Sequence, residues 1–136
     1  MKYQLRKERT RHFGILLRPV VEVILHGGVT VKEIFYVDSG ADITIIPRSV
    51  GELLQLELVE NEIIDLSGIG EGKISVAIKS INMEIAGARF KSRIGWALTE
   101  KVPLLLGRLD VFDRFRISFE IGHGFLDLQP CSVDSL

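Results

Sequence analysis

Apolar and polar residues alternate along much of the chain with the two-residue period that is typical of β-strands. Ile74, Val76 and Ile78 fall on one face of such a segment, and polar or small residues fall on the other. Short turns rich in glycine separate these segments, as at His26-Gly27-Gly28 and Gly122-His123-Gly124. The pattern predicts an all-β fold built from hairpins.

Four hairpins are predicted in this way. They join residues 20–25 to 29–38, 60–66 to 73–78, 81–85 to 89–94, and 116–121 to 125–128. The apolar segment 102–107 predicts a buried strand that ends at Gly107.

Two further segments have helical spacing. Residues 48–54 suit one or two helical turns, with Leu53, Leu54 and Leu56 facing inward. Residues 110–115 suit one short helix near the C-terminus.

Length and charge restrict the class of protein. The 136 residues suffice for one domain with a sizeable core and are too few for two. The formal net charge of −1 excludes an overall field that would recruit nucleic acid. No apolar run approaches the roughly 18 residues that cross a bilayer, and the N-terminus lacks signal-peptide features. We therefore expect a cytoplasmic protein with neither nucleic acid nor a membrane as partner.

The N-terminal segment differs from the rest of the chain because it carries five basic residues against Glu8 alone. A nucleic-acid or membrane-surface arm is one interpretation, but a solvated terminus is commoner. We expect residues 1–13 to be mobile, residues 14–130 to form the domain, and residues 131–136 to be a tail. Cys131 is the sole cysteine, which excludes an internal disulfide and a thiolate metal cluster, and we expect no metal or cofactor.

The first candidate for chemistry is the tripeptide Asp38-Ser39-Gly40, which lies between two apolar segments. A carboxylate in such a turn is partly enclosed by apolar residues, where its protonation can be tuned. The simpler interpretation is a turn in which Asp and Gly only shape the backbone. Taken alone, the tripeptide favours the turn.

Two other motifs follow it in the chain: Gly68-Ile69-Gly70 at a predicted hairpin tip, and Leu105-Leu106-Gly107-Arg108 before the predicted C-terminal helix. In this order and spacing, the three motifs resemble those of the retropepsin family, the single-domain aspartic proteases of retroviral type. The resemblance runs from about Pro19 to Phe119. It implies an acid-protease barrel with a glycine-tipped flap hairpin and one short C-terminal helix.

The same resemblance implies an aspartic endopeptidase that acts on a peptide or protein substrate. Such enzymes use two carboxyl groups that share one proton, one as general base on a water and one as general acid. This chain has a single Asp-Ser/Thr-Gly triplet. A two-fold homodimer would supply the second Asp38, so that each monomer alone is inactive.

The resemblance also assigns roles to individual residues. Ser39 would bond across the dimer axis, and Gly40, Ala41 and Asp42 would bind the substrate main chain. Asp42 would also form an ion pair with Arg108. The flap residues Gly68, Ile69 and Gly70 would close over the peptide, and the group Leu105, Leu106, Gly107 and Arg108 would support the site from below.

The sequence departs from the family pattern at two positions: Ser39 stands where Thr is commoner, and the flap residue Glu71 is charged. Two other functions stay open. The first is a catalytically weak or inactive retropepsin-like module for dimerisation or peptide binding. The second is a β-barrel that binds a small ligand through its glycine-rich hairpin, which accounts for neither the triplet nor the Leu-Leu-Gly-Arg motif.

Overall fold

The computed structural model describes residues 1–67 and 72–131. Within these residues the chain forms twelve β-strands and one α-helix, with isolated 3-10 turns between them. The elements are β1 (Lys2–Gln4), β2 (Arg6–Thr10), β3 (Gly14–Arg18), β4 (Val20–His26), β5 (Thr30–Val37), β6 (Thr44–Ile46), α1 (Arg48–Leu53), β7 (Ile63–Ser67), β8 (Lys73–Ile85), β9 (Ala88–Ala97), β10 (Leu105–Leu106), β11 (Phe115–Glu120) and β12 (Phe125–Pro130).

Six strands close into a barrel. They are hydrogen-bonded in the order β4-β5-β10-β6-β9-β8, and a second pairing of β4 with β8 completes the ring. Strand β7 extends the sheet beyond β8. The pairs β5–β10 and β6–β9 are parallel, whereas the hairpins are antiparallel. The predicted all-β barrel is confirmed.

The longest hairpin, β8–β9, turns at Ala86 and Gly87, which both have positive φ, 52° and 80°. Two such residues match the twist of antiparallel strands, and glycine adopts this conformation at little cost. The sequence predicted two strands where the structure has the single strand β8. Lys79 and Ser80 continue the pairing with β9, so the strand is not interrupted between them.

The barrel interior is apolar and includes the fully buried side chains of Leu25, Phe35 and Met83. Helix α1 confirms the helical prediction for residues 48–54, and Leu54 is fully buried as expected. Leu53 was wrongly expected to face inward, since its side chain is 57% exposed. The six residues of α1 turn one narrow face toward the core, and Leu53 lies off that face.

The helix lies close to β9 because of a glycine. A Cβ atom at Gly51 would stand 2.0 Å from the indole nitrogen of Trp96. That indole N–H donates a hydrogen bond to the carbonyl oxygen of Arg48, at 3.0 Å. In the part of the chain that the structure describes, no helix has the length and apolar character needed to cross a bilayer.

The N-terminal residues differ from the expected mobile segment, because they form paired strands. Strand β1 pairs with β12, and β2 pairs with β3. Leu5, between β1 and β2, is buried in the main core, and Tyr3 packs against that core. The expected boundary at residue 13 therefore falls inside the turn of a hairpin.

The expected short helix at residues 110–115 is present only in reduced form. The segment contains only a 3-10 turn, Phe112–Arg114. Asp110 has a φ of 64°, which a right-handed helix does not accommodate. The predicted strand 102–107 is likewise reduced to Leu105–Leu106.

Candidate active site

Asp38 lies at the end of β5, where the barrel strand gives way to a tight loop. Its N–H donates to the carbonyl oxygen of Leu106 at 3.0 Å, and its own carbonyl accepts from the N–H of Ala41 at 3.1 Å. The Oδ1 atom accepts a hydrogen bond from the N–H of Gly40 at 2.9 Å. The carboxylate is half-buried, and among the described residues it forms no ion pair. The loop thus holds the Asp38 carboxylate in one direction. No cationic side chain among the described residues forms an ion pair with it.

Gly107 lies very close to the backbone of Ile43 and Thr44 and thereby supports the Asp38 loop. The N–H of Gly107 donates to the buried Thr44 hydroxyl oxygen at 3.1 Å. A Cβ atom at Gly107 would stand 2.3 Å from the carbonyl carbon of Ile43 and 2.8 Å from the Thr44 nitrogen. Only glycine lets the two segments meet at this distance without a shift of the backbone.

Arg108 joins the loop by both its main chain and its side chain. Its N–H donates to the carbonyl oxygen of Ala41 at 2.9 Å. Its guanidinium Nε donates to the carbonyl oxygen of Ser39 at 2.6 Å. The next residue, Leu109, donates its N–H to the carbonyl oxygen of Asp42 at 2.9 Å.

The expected ion pair between Asp42 and Arg108 is therefore not formed. The two residues lie in neighbouring segments, but the guanidinium group is directed to the Ser39 carbonyl and lies 5.6 Å from the ring centroid of Phe112. Asp42 is exposed. Its carboxylate forms no ion pair with any residue in the ranges 1–67 and 72–131.

An ion pair between Arg93 and Asp110 braces the segment that follows Arg108. The guanidinium of Arg93 donates from Nε and Nη2 to the two oxygens of Asp110, at 2.9 Å and 3.0 Å. The Arg93 main-chain N–H donates to the same carboxylate at 2.9 Å. The side-chain hydrogen bonds from Arg93 hold the pKa of Asp110 below its ordinary value. This bidentate pair ties β9 to the turn behind the loop.

An apolar wall lies beside the loop. Ile45, Val76, Ala97 and Val102 form a buried cluster, against which Ile43 and Leu105 are partly buried. The arms of the β7–β8 hairpin extend this wall, because Leu66, Ile74 and Ile78 pack on the same cluster. The predicted flap tip, Gly68, Ile69 and Gly70, lies outside the described residues, as does Glu71.

The predicted site residues divide into those that the structure brings together and the flap residues, which lie outside the described residues. The structure brings Asp38, Ser39, Gly40, Ala41 and Asp42 together with Leu106, Gly107 and Arg108 through the hydrogen bonds above, and Leu105 pairs with Tyr36 and Ile45 beside them. Sequence reasoning missed the bracing role of Thr44. A signal existed, because Thr44 is the one polar side chain in the apolar run from Ile43 to Ile46. The pair of Arg93 and Asp110 had no comparable signal.

The half-buried side chain in this loop with acid–base chemistry and no ion pair among the described residues is the Asp38 carboxylate. Among the described residues, no cluster of three or more His, Cys, Asp or Glu side chains is arranged to hold a metal ion. A single carboxylate can accept a proton or donate one, but it cannot do both in one step.

Comparison with known proteins identifies the fold. No protein-family model matches the chain, and no curated protein matches it. Among solved structures, the chain is similar to EIAV protease complexed with the inhibitor HBY-793. The match has 20% sequence identity and a TM-score of 0.55, and it covers 67% of this chain and 82% of the protease chain. The chain therefore has the fold of a retroviral protease.

Proposed function

We propose that this protein is an aspartic endopeptidase that acts as a homodimer. The observation that carries the proposal is the Asp38 carboxylate, half-buried and free of an ion pair within the described residues, in a loop fixed by Leu106, Gly107 and Arg108. The hydrogen bond between Oδ1 and the Gly40 N–H is also formed in ordinary Asx turns, but such a turn does not require the further bonds from Asp38 to Leu106 and from Arg108 to Ser39. The retroviral-protease fold supports the same function.

The chemistry requires a second carboxylate. Two such groups about 3 Å apart share one proton, since both cannot ionise comfortably. The ionised group accepts a proton from a water molecule, whose oxygen attacks the scissile carbonyl carbon. The protonated group donates its proton to the carbonyl oxygen, which gives a gem-diol intermediate. The first group then passes the water proton to the leaving nitrogen as the C–N bond breaks, and the second group takes back a hydroxyl proton, so that a carboxylic acid and an amine are released.

The second carboxylate would be Asp38 of a second copy. A two-fold axis next to the Asp38 loop places the two identical side chains opposite each other. Ser39 would then bond across the axis and hold the two loops in register. Gly40, Ala41 and Asp42 would bind the substrate main chain, and the hairpin tip at Gly68, Ile69 and Gly70 would cover it.

The apolar wall beside the loop suggests the kind of peptide that is cleaved. Ile43 and Leu105 are only partly buried against their cluster, so they can contact a ligand next to Asp38. We infer that the enzyme prefers apolar side chains on either side of the scissile bond.

The test is cleavage of a peptide library by the wild-type protein and by Asp38→Asn, at mildly acidic pH. The wild type should cleave peptides with apolar residues at the scissile bond, and Asp38→Asn should not. Asp113→Asn, which changes an exposed carboxylate elsewhere, should cleave like the wild type. Cleavage by Asp38→Asn at the wild-type rate would refute the proposal. A wild-type dimer that cleaves nothing would favour the alternative, a retropepsin-like module for dimerisation or peptide binding.

A further inference from the structure

The hairpin of β2 and β3, residues 6–18, forms a separate two-stranded sheet that we call the arm. The face of the arm that carries Arg6 and Glu8, its inner face, contacts the barrel at Tyr36. Glu8 accepts a hydrogen bond from the hydroxyl of Tyr36 at 3.0 Å, and the guanidinium of Arg6 lies 5.6 Å from the Tyr36 ring centroid. The two inner-face residues therefore fix which side of the arm faces outward.

The outer face of the arm combines positive charge with apolar side chains. Lys7 is paired with Leu17 and Arg9 with Ile15, and residues directly opposite each other in an antiparallel pair share a face. Phe13, in the turn of the arm, is 77% exposed, and Ile15 is 56% exposed. A two-stranded hairpin with such a face is marginally stable by itself, and contiguous exposed apolar side chains mark an interaction site.

A groove that carries two carboxylates begins where the arm ends. It has a volume of about 470 Å³ and is lined by residues on both sides of the arm in sequence, such as Tyr3 and Val20. Its wall carries the carboxylates of Glu22 and Glu84 beside the apolar side chains of Ile24 and Ile34. Both carboxylates already pair within the chain: Glu22 with Lys32 at 3.3 Å and Glu84 with His26 at 2.9 Å. The Glu22 pair is largely exposed, and exposed pairs exchange partners at little cost.

We propose that the outer face of the arm docks into the groove of a second copy of this chain, and that the exchange is reciprocal. Two arms that met face to face would bring Lys7 and Arg9 against their own copies, which like-charge repulsion disfavours. An arm in the partner's groove instead places its basic residues near Glu22 and Glu84, and its apolar residues on an apolar wall. A two-fold dimer contains this contact twice.

The location of the arm connects it to the active site. The carbonyl oxygen of Pro19, directly after the arm, accepts a hydrogen bond from the N–H of Val37 at 2.9 Å. Asp38 is the next residue. The inference rests on the proposed function in one respect, because the second copy is the partner that completes the pair of Asp38 carboxylates. It adds the surface that holds this partner.

The test is a charge exchange measured by sedimentation equilibrium on the full-length chain. Lys7→Glu with Arg9→Glu, and separately Glu22→Lys with Glu84→Lys, should each raise the dimer dissociation constant by about tenfold or more. The four substitutions together keep the wild-type net charge and should restore tight dimerisation. Lys91→Glu with Lys101→Glu, at exposed positions outside the arm and the groove, should leave the dissociation constant unchanged.

A quadruple variant that dimerises no better than either double variant would overturn the inference. So would a wild-type protein that stays monomeric while its arm binds vesicles of anionic lipid or a nucleic acid duplex, since neither partner engages an acidic groove. Asp38→Asn should dimerise like the wild type. If the charge exchange restores dimerisation but no peptide is cleaved, the arm contact stands and the protease proposal fails.

Discussion

Gly107→Ala tests how the Asp38 loop is held. The added methyl group would lie 2.3 Å from the carbonyl carbon of Ile43 and 2.4 Å from its oxygen. These are backbone atoms between two strands of the barrel, so no side chain can rotate away to make room. The backbone must move, and the hydrogen bond from the Gly107 N–H to Thr44 is lengthened or lost with it.

The expected cost follows from these two effects. Forcing extra volume into a packed core costs about 1–3 kcal/mol, and leaving a buried hydrogen-bonding group unsatisfied costs about 1–3 kcal/mol. The two effects share one displacement and do not add fully, so we expect a loss of about 3 kcal/mol in the free energy of unfolding. Because the same displacement moves the Asp38 loop, cleavage should fall by more than the loss of folded protein explains.

The assay is urea unfolding at one fixed protomer concentration, since the unfolding of a dimer depends on concentration. Gly122→Ala is the matched control, because a Cβ atom at Gly122 would have nothing within 4 Å. That control should change the free energy of unfolding by less than about 1 kcal/mol. A Gly107→Ala protein as stable and active as the Gly122→Ala protein would refute the bracing of the loop by this close contact.

Three further changes test neighbouring contacts. Thr44→Val keeps the side-chain shape but removes the buried acceptor, and urea unfolding should show a loss of about 1–3 kcal/mol, whereas Thr44→Ser should retain most of the stability. Arg108→Met removes the hydrogen-bond donor to the Ser39 carbonyl oxygen. Because the Arg108 side chain is exposed, the unfolding midpoint should change little, whereas peptide cleavage should fall. Unchanged cleavage would show that the contact is dispensable. Asp110→Asn tests pH dependence. Arg93 lowers the pKa of Asp110 in the folded protein, so this carboxylate stabilises the fold above its unfolded pKa of about 3.9, and the stabilisation is lost as the pH falls through the lower folded value. The variant should therefore lose less stability than the wild type between neutral and strongly acidic pH, and parallel pH profiles would contradict this.

Local patterns predicted the hairpins of the barrel because strand alternation and turn residues are properties of neighbouring positions. The β8–β9 hairpin and the closing β11–β12 hairpin follow this rule. The N-terminal strands did not follow it. Lys2 pairs with Asp127 across almost the whole chain, and nothing in a basic segment indicates so distant a partner.

The site shows the same division. The proximity of the Asp38 loop to the segment at Gly107 was predictable, because both motifs resemble those of the retropepsin family. The hydrogen-bond partner of Arg108 was not predictable. The guanidinium group binds the Ser39 carbonyl oxygen, and the position of a backbone oxygen depends on the folded loop. Residue identity indicated Asp42 instead, since a carboxylate is the visible partner for an arginine in a sequence.

The central claim is that one active site uses Asp38 from each of two copies. Subunit mixing tests it most directly: wild-type protein and Asp38→Asn are combined in equal amounts, allowed to exchange, and assayed on the best library peptide. If each site needs both carboxylates, only dimers of two wild-type chains are active, and random pairing leaves about one quarter of the activity of the same total amount of wild type. If each copy carries a complete site, about one half of the activity remains. A value near one quarter is the result that we predict, and a value near one half would contradict the shared site.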